Sequence, residues 1–251
     1  MKFLIIHYKF SRGGGPENYL FNITKLLTDN GHQVVHFAPK WNDNLPSPDD
    51  NYWPEIEGSQ GHFHFNENPD LKLADKLKLI KKVIYNNSVY EHLDKMLKDE
   101  KPDVVLLLLY LGKLTPAVIN ACKDNKVPMI SRISDFSYIC LNSILHDGNS
   151  ICTDCIQGNF WTGVKKNCFR SKKNSFLQYL IRRFYYLRQY QRDIDAFVIP
   201  SRNSLGIFKE SNLFADIPIH HLPTFVTTKQ EPLDEQKIKR RYNSKRFIYS
   251  G

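Results

Sequence analysis

Lys101-Pro102-Asp103-Val104-Val105-Leu106-Leu107-Leu108-Leu109-Tyr110-Leu111 is a Pro-Asp break followed by eight consecutive apolar residues. A strand with one wet face alternates apolar and polar residues; the continuous run Val104 to Leu109 fits a strand buried on both faces of a parallel sheet. Parallel neighbours cannot be joined by a hairpin, so helical crossovers are expected on either side. They are legible there. A charged helical stretch covers about 71–99, and Thr115-Pro116 reads as an N-cap followed by Pro in the first turn of a helix running to Asp124. Pro128 to Ile133 is the next strand.

Further out, the same grammar continues. Phe3 to His7 is an opening strand that runs into Ser11-Arg12-Gly13-Gly14-Gly15-Pro16. From Glu17, Leu20, Ile23, Leu26 and Leu27 form an amphipathic stripe, Asn30-Gly31 stops the helix, and Val34 to Ala38 is a strand. Residues 39–70 have no steady period and are expected to be a long loop or insertion. Beyond a basic helix at about 176–194 come the strand Ala196 to Ile199, a Pro-Ser turn, the helix Ser201 to Glu210 and the strand Ile217 to Leu222. Glu231 to Arg241 is a further helix candidate, and Phe247-Ile248-Tyr249 a last strand. The fold class that follows is α/β: a Rossmann-like parallel sheet with helices on both faces.

Composition agrees with this class. The chain has 251 residues, 41% apolar and 24% charged, with 12 Gly and 13 Pro, which excludes disordered, collagen-like and coiled-coil classes. The longest apolar run is far short of the roughly 20 residues of a membrane-spanning helix. The apolar start Phe3 to Ile6 is too short for a signal-peptide core, so a cytoplasmic location is expected. With 35 Lys+Arg against 26 Asp+Glu, the net charge of +9 anticipates an acidic partner: nucleic acid, phosphate or an anionic membrane face.

Gly13-Gly14-Gly15 joins the first strand to the first helix, where ligands of such sheets bind and backbone N–H groups can approach a phosphate. A plain tight turn is the competing reading. The dinucleotide fingerprint fails, because Asn18 stands at its third Gly position and Ala38-Pro39-Lys40 closes the second strand without an acid. No G-K-[ST] motif appears, so nicotinamide chemistry and ATP hydrolysis are disfavoured.

Cys140, Cys152, Cys155 and Cys168 crowd into an irregular loop at spacings x11, x2 and x12. One C-x-x-C knuckle with two flanking thiols suits a closed, structural four-thiolate centre, zinc by default and an iron–sulfur cluster as the alternative. Ordinary thiols in a polar loop are the competing reading. Cys122 reads as a small core residue, and of nine scattered histidines only His146 lies inside the cysteine loop. The stretch 165–192 carries nine Lys/Arg (Lys165, Lys166, Arg170, Lys172, Lys173, Arg182, Arg183, Arg188, Arg192), interleaved with aromatics and free of Asp and Glu. A solvated helix face, an anionic membrane surface and a polyanion are the open readings.

Several segments together resemble the N-terminal domain of glycosyltransferase family 4, retaining enzymes of the GT-B fold. Gly13-Gly14-Gly15-Pro16-Glu17-Asn18 with Leu20, Leu26-Leu27 and Asn30-Gly31-His32-Gln33-Val34 is similar to its G-G-A-E…L…L…G-H-x-V pattern. Lys101 to Val105 resembles the entry into a later strand. Ser134-Asp135-Phe136-Ser137-Tyr138-Ile139-Cys140 resembles its H-D-Y-W-x-x-C segment, which a Cys-rich loop follows in one subset. Asp195 to Ser201 is similar to D-x-x-I-x-P-S, and Leu222-Pro223-Thr224-Phe225-Val226 to L-P-N-x-V. Ser134 stands where the family often has His, so that residue's role does not carry over. Arg246 to Gly251 resembles the first strand of the second domain, which holds the nucleotide-sugar in this family.

The resemblance implies transfer of a sugar, with retention, from a nucleotide-sugar to a glycan or lipid-linked acceptor in polysaccharide assembly at the cell envelope. It implies a GT-B N-terminal domain over 1–226, with the metal loop 140–168 inserted, and over 227–251 a linker and the first strand of a truncated second domain. The chain is then the acceptor-binding half, inactive alone, needing no catalytic metal. Gly13, Gly14, Gly15 and Glu17, with Asp135, Ser201 and Arg202 at other strand ends, become the candidate substrate contacts, Asp135 the leading catalytic candidate. The segment 165–192 would place the protein peripherally on the inner face of the membrane. The alternatives are a zinc-stabilised nucleic-acid-binding protein, which the repeated strand-helix grammar disfavours, and a non-catalytic glycan- or membrane-binding module.

Overall fold

The computed structural model describes residues 1–56, 81–169 and 171–225. Twelve elements matter for the site, in chain order β1 (Lys2–Ile6), α1 (Gly15–Asp29), β2 (Gln33–Phe37), α2 (Asn87–Glu100), β3 (Val104–Leu107), α3 (Ala117–Asp124), β4 (Met129–Arg132), α4 (Trp161–Lys165), α5 (Lys172–Arg188), β5 (Ala196–Ile199), α6 (Arg202–Glu210) and β6 (Ile219–His221). The strands form one six-stranded sheet in the order β2-β1-β3-β4-β5-β6. Every pairing is parallel, with Ile6 opposite both Phe37 and Leu107, Leu107 opposite Ser131, and Ile199 opposite His221. All the carboxyl ends therefore lie along one edge.

Successive strand residues point to opposite faces, and Leu4, Ile5 and Ile6 are all fully buried, so both faces of the central strand are covered. Val104, Val105 and Leu107 are buried in the same way, as the unbroken apolar run requires. The β1–β3 ladder continues past the strand ends, with Leu108 N–H donating to Ile6 at 3.0 Å and Tyr8 N–H to Leu109 at 2.8 Å. Tyr110, next in the run, caps that edge as one of the largest fully buried side chains.

Local departures from the sequence reading have local causes. Of the α1 stripe, Leu20 is buried and Ile23 and Leu27 pack on the core, while Leu26 faces outward. Helix α3 starts one residue late, because Thr115 takes a left-handed φ of 59° and its Oγ1 accepts from Asn86 N–H (3.1 Å) and Ala117 N–H (3.4 Å). It ties the loop before α2 to the start of α3. The stretch after β2 is packed rather than loose: Asp49 Oδ2 accepts from His36 N–H, and Trp53 Nε1–H donates to the His36 carbonyl, both at 2.8 Å. The basic helix starts earlier than expected, at Lys172, because Ser171 caps it by accepting from Asn174 N–H at 3.2 Å. The helix and strand expected at 231–241 and 247–249, the domain boundary at 226/227, residues 57–70 of the loop, residues 71–80 of the helix expected over about 71–99, and Arg170 lie outside the described residues; the described part of that helix is interrupted at Tyr85-Asn86, where the Asn86 side chain caps α2 by accepting from Ser88 and Val89 N–H.

Candidate functional site

In a doubly wound sheet the ligand crevice opens where neighbouring strands send their chains to opposite sides, beyond the carboxyl ends. Here β1 continues towards β2 on one side and β3 towards β4 on the other, so the crevice lies above β1 and β3. The segments that crown it are the Gly turn, the loops after β3 and β4, and the stretch after β6.

Helix α1 begins at Gly15, with Gly14 at the N-cap. Gly14 N–H donates to Glu17 Oε2 at 3.0 Å, and the Tyr8 hydroxyl donates to Glu17 Oε1 at 3.0 Å. A Cβ on Gly14 would stand 2.6 Å from Glu17 Oε2, so a side chain there would push the Glu17 carboxylate off its cap. Burial pushes the Tyr8 hydroxyl up to about 12, with the Glu17 charge adding to it. Of the turn's four candidates, Gly14 and Glu17 are thus engaged with each other, while Gly13 and Gly15 are exposed.

Asp135 follows β4 and is half-buried; its Oδ1 accepts from Ser137 N–H at 2.9 Å, which fixes the start of the loop. Ser201 caps α6 by accepting from Ser204 N–H at 3.4 Å, and Ser201 and Arg202 are exposed. The structure therefore sets all seven candidates beyond carboxyl ends of strands: four after β1, one after β4 and two after β5.

Three side chains at this edge carry no motif that sequence reasoning could use. The buried Arg132, at the last position of β4, donates to Ser134 Oγ (2.6 Å) and Thr224 Oγ1 (2.8 Å), and its guanidinium lies 3.9 Å from the centroid of the Tyr19 ring. Burial lowers its pKa, and Tyr19 opposes this. Tyr19 also packs on Phe225 at 5.7 Å, so α1, β4 and the 222–225 stretch are joined through one cation. His7, immediately after β1, is buried with Nδ1 2.6 Å from the Lys9 carbonyl, while its Nε2 has no hydrogen-bond partner among the described residues. Burial pushes its pKa below 6.5, opposed by the Lys9 hydrogen bond and the Glu17 charge. Lys113, in the loop after β3, is lowered to about 8 by burial. The signal that would have found them is position alone, at or just past a strand's carboxyl end.

The cysteine loop is ordered by its own backbone. Cys140 N–H donates to Phe136, Cys152 N–H to Leu145 and Cys168 N–H to Gly163, at 2.8, 2.9 and 3.0 Å. Leu141, Cys155 and Phe160 form a small second core against Tyr179 and Tyr186 of α5. Cys140, Cys152, Cys155 and Cys168 line one cleft together with His146 and Lys166. All four are free thiols. Burial pushes Cys155 up to about 11 and raises Cys168 as well. Lys166 Nζ lies 3.0 Å from Asp147, 3.1 Å from Asp154 and 3.4 Å from Cys152 Sγ. The four expected ligands thus share one cleft, yet among the described residues no group of three or more His, Cys, Asp or Glu side chains is arranged to hold a metal ion.

Helix α5 buries Ser175, Ile181, Arg182 and Tyr185. Its outward side exposes Phe176, Leu180 and Leu187 beside Lys172, Lys173, Arg183 and Arg188, with Trp161 of α4 next to Phe176 at 6.2 Å between ring centroids. Among the described residues no helix is long and apolar enough to cross a membrane.

No family model matches the chain, and no curated protein matches it. Among solved structures it is similar to MurG of Acinetobacter baumannii, at 12% identity and a TM-score of 0.39 over 92% of this chain and 47% of that one. It is also similar to UGT2 of Phytolacca americana, complexed with UDP-2fluoro-glucose and pterostilbene, at 11% identity and a TM-score of 0.46 over 90% and 53%. A third is Anabaena Alr3699/HepE in complex with UDP and glucose, at 14% identity and a TM-score of 0.38 over 97% and 50%. The chain spans about half the length of these structures.

Proposed function

We propose that this chain is the acceptor-side half of a retaining glycosyltransferase that moves a sugar from a nucleotide-sugar to a glycan or lipid-linked acceptor. The observation that carries the reading is the carboxyl edge of the parallel sheet. Residues quoted for the family resemblance, Gly13 to Glu17, Asp135 and Ser201, all lie along it, as does Arg202.

The reaction releases a diphosphate, whose negative charge must be met by fixed donors and cations. In this proposal the positive end of α1 and the exposed Arg202 face that charge. Because Glu17 already holds the Gly14 N–H, the turn meets the donor through Gly13 and Gly15. Asp135, held by Ser137, orients an acceptor hydroxyl. Arg132 keeps the walls in register by joining Tyr19, Ser134 and Thr224.

Two further parts belong to the same proposal. The outward stripe of α5, with aromatic and aliphatic side chains among cations, suits the headgroup region of an anionic membrane, where a lipid-linked acceptor would be found. In the same proposal a structural zinc ion would draw together the four thiols that line one cleft, which as placed are not arranged around a common point, and this role supplies no chemistry to the transfer.

The test is acceptor binding by the purified chain. Polyprenyl phosphates and oligosaccharides are titrated against the wild type, Asp135→Asn and Arg202→Ala, with duplex DNA as the counter-ligand. The expected result is binding of an acceptor that Asp135→Asn weakens about tenfold, a loss of roughly 1.4 kcal/mol, while Arg202→Ala, assigned to the donor diphosphate, leaves it within about twofold. Absence of acceptor binding, with DNA binding that falls steeply with salt, would replace the proposal by a nucleic-acid-binding one.

A further inference from the structure

A second cavity, away from the Gly turn, lies where the inner face of α5 meets the loop after β3, the start of α3 and the stretch before β6. It is small, leaving about 30 Å³ for the centres of water-sized molecules. About 10–15 Å³ on that measure holds one water, so the room suits a pair of waters or one monatomic ion, not an organic molecule. Its lining includes one cation, Arg182, and no Asp or Glu. Arg182 is only 8% exposed, and its Nε has no hydrogen-bond partner among the described residues.

Burial works against the charge on Arg182, and Tyr185 and Asp135 act on it only through space. A buried lysine would shed its proton, but a guanidinium stays charged. A buried charge with no counter-charge in contact is costly, and a buried donor without an acceptor calls for a partner. Water in the cavity would satisfy the donor and leave the charge unbalanced. Around the cavity, the Tyr110 and Tyr138 hydroxyls are bonded to each other at 2.5 Å, and the Tyr185 hydroxyl donates to the Val83 carbonyl at 3.4 Å. Tyr186 and Tyr190 are also among the lining residues, and among the described residues their hydroxyls make no hydrogen bond. The lining is thus rich in donors and lacks an anion.

We propose that this cavity binds a single chloride ion, held by the buried Arg182 guanidinium. One monovalent ion balances one fixed charge, and a sphere little larger than water fits the room. Phosphate and sulfate are larger and carry more charge than one cation balances. A spherical acceptor imposes no direction of its own, so it can take an N–H wherever the guanidinium presents one. Hydrogen bonds to an ionised acceptor are stronger than neutral ones, and the apolar surroundings strengthen the attraction between the two charges. A ligand that binds the folded chain alone stabilises it by mass action, so the ion makes the fold depend on chloride. This inference is independent of the glycosyl-transfer proposal, and failure of either leaves the other standing.

The experiment follows thermal unfolding of the whole chain, dialysed into sodium gluconate, as chloride replaces gluconate at constant ionic strength. Tm is expected to rise along a saturating curve, by about 3 °C or more between about 5 and 200 mM chloride if Kd is near about 10 mM. A second readout is the chloride NMR line, which the chain should broaden and which should narrow again when bromide competes. Arg182→Met removes the charge and keeps an apolar stem; it is expected to fold, to lose the chloride dependence of Tm, and to broaden the line less. The exposed Lys172, Lys173, Arg183 and Arg188 stay in both proteins, so the difference between them reads the cavity alone. Arg182→Lys, with a charge that burial can remove, is expected to weaken chloride severalfold and serves if the Met variant does not fold. A wild-type Tm indifferent to the exchange of gluconate for chloride overturns the proposal. So does an equal chloride response in wild type and Arg182→Met, or an undiminished one in Arg182→Lys.

Discussion

Replacing Arg132 by Met should loosen the carboxyl edge without unfolding the sheet. The guanidinium makes two short hydrogen bonds, 2.6 Å to Ser134 and 2.8 Å to Thr224, and lies 3.9 Å from the Tyr19 ring centroid. Hydrogen bonds from a charged donor are worth about 1.5–3 kcal/mol each, and a partly desolvated cation–π contact about 1–2 kcal/mol. Against this gross loss of about 4–8 kcal/mol stands the desolvation of a buried charge, several kcal/mol, which the variant no longer bears. The two hydroxyls left behind can turn to water, and Met refills much of the stem's volume. The net expectation is a loss of about 2 kcal/mol, or roughly 4–8 °C in Tm for a domain of this size. Urea denaturation measures the total, and hydrogen exchange on residues 222–225 localises it, because the bond to Thr224, with Phe225 packed on Tyr19, docks that stretch. A double-mutant cycle with Thr224→Ala should return a coupling of about 1 kcal/mol. Unchanged stability together with unchanged exchange at 222–225 would refute the argument that this cation joins the three segments.

Three further outcomes are expected. His7 resists protonation when folded and accepts it at its ordinary value of 6.5 when unfolded. Protons therefore favour the unfolded chain, and stability held above about pH 6.5 falls as pH drops, by up to about 1.4 kcal/mol per pH unit. His7→Gln should flatten that slope in urea midpoints taken between pH 7.5 and 5.5; a variant with the wild-type slope would clear His7 of the role. Glu17→Ala removes both the Gly14 cap and the Tyr8 contact and should cost about 1–2 kcal/mol in chemical denaturation, and the Tyr8 absorbance titration should move down from about 12. Metal analysis of the purified chain should find about one zinc per molecule, lost in Cys155→Ser; a stably folded, metal-free wild type would end the zinc proposal.

The central strands were the easiest part to read, because β1 and β3 are short apolar runs buried on both faces of the sheet. Boundaries slipped where side chains of distant residues intervened. Thr115 looked like a cap for its own helix but is spent holding Asn86 as well, which shifts α3 by one residue. The alternation of elements alone singled out the glycine turn Gly13-Gly14-Gly15, while Glu17, Asp135, Ser201 and Arg202 were singled out by the family resemblance. That Gly14 and Glu17 are occupied with each other depends on a distance of 3.0 Å that no spacing rule supplies.

Arg182 and Arg183 show where sequence reading stops. Side by side in a basic, acid-free stretch, both counted as members of one charged helix face. The phase of α5 against the sheet buries the first in an apolar cavity and leaves the second in solvent. The sequence by itself determined the parallel α/β class, the glycine turn at the first crossover and the clustering of four cysteines, because hydrophobic period, turn chemistry and spacing are local properties. Only the tertiary structure decided which cations are buried, which polar atoms are left without partners, and that the four thiols share one cleft. Those outcomes depend on which elements meet, and desolvation acts on a group only once its neighbours have closed around it.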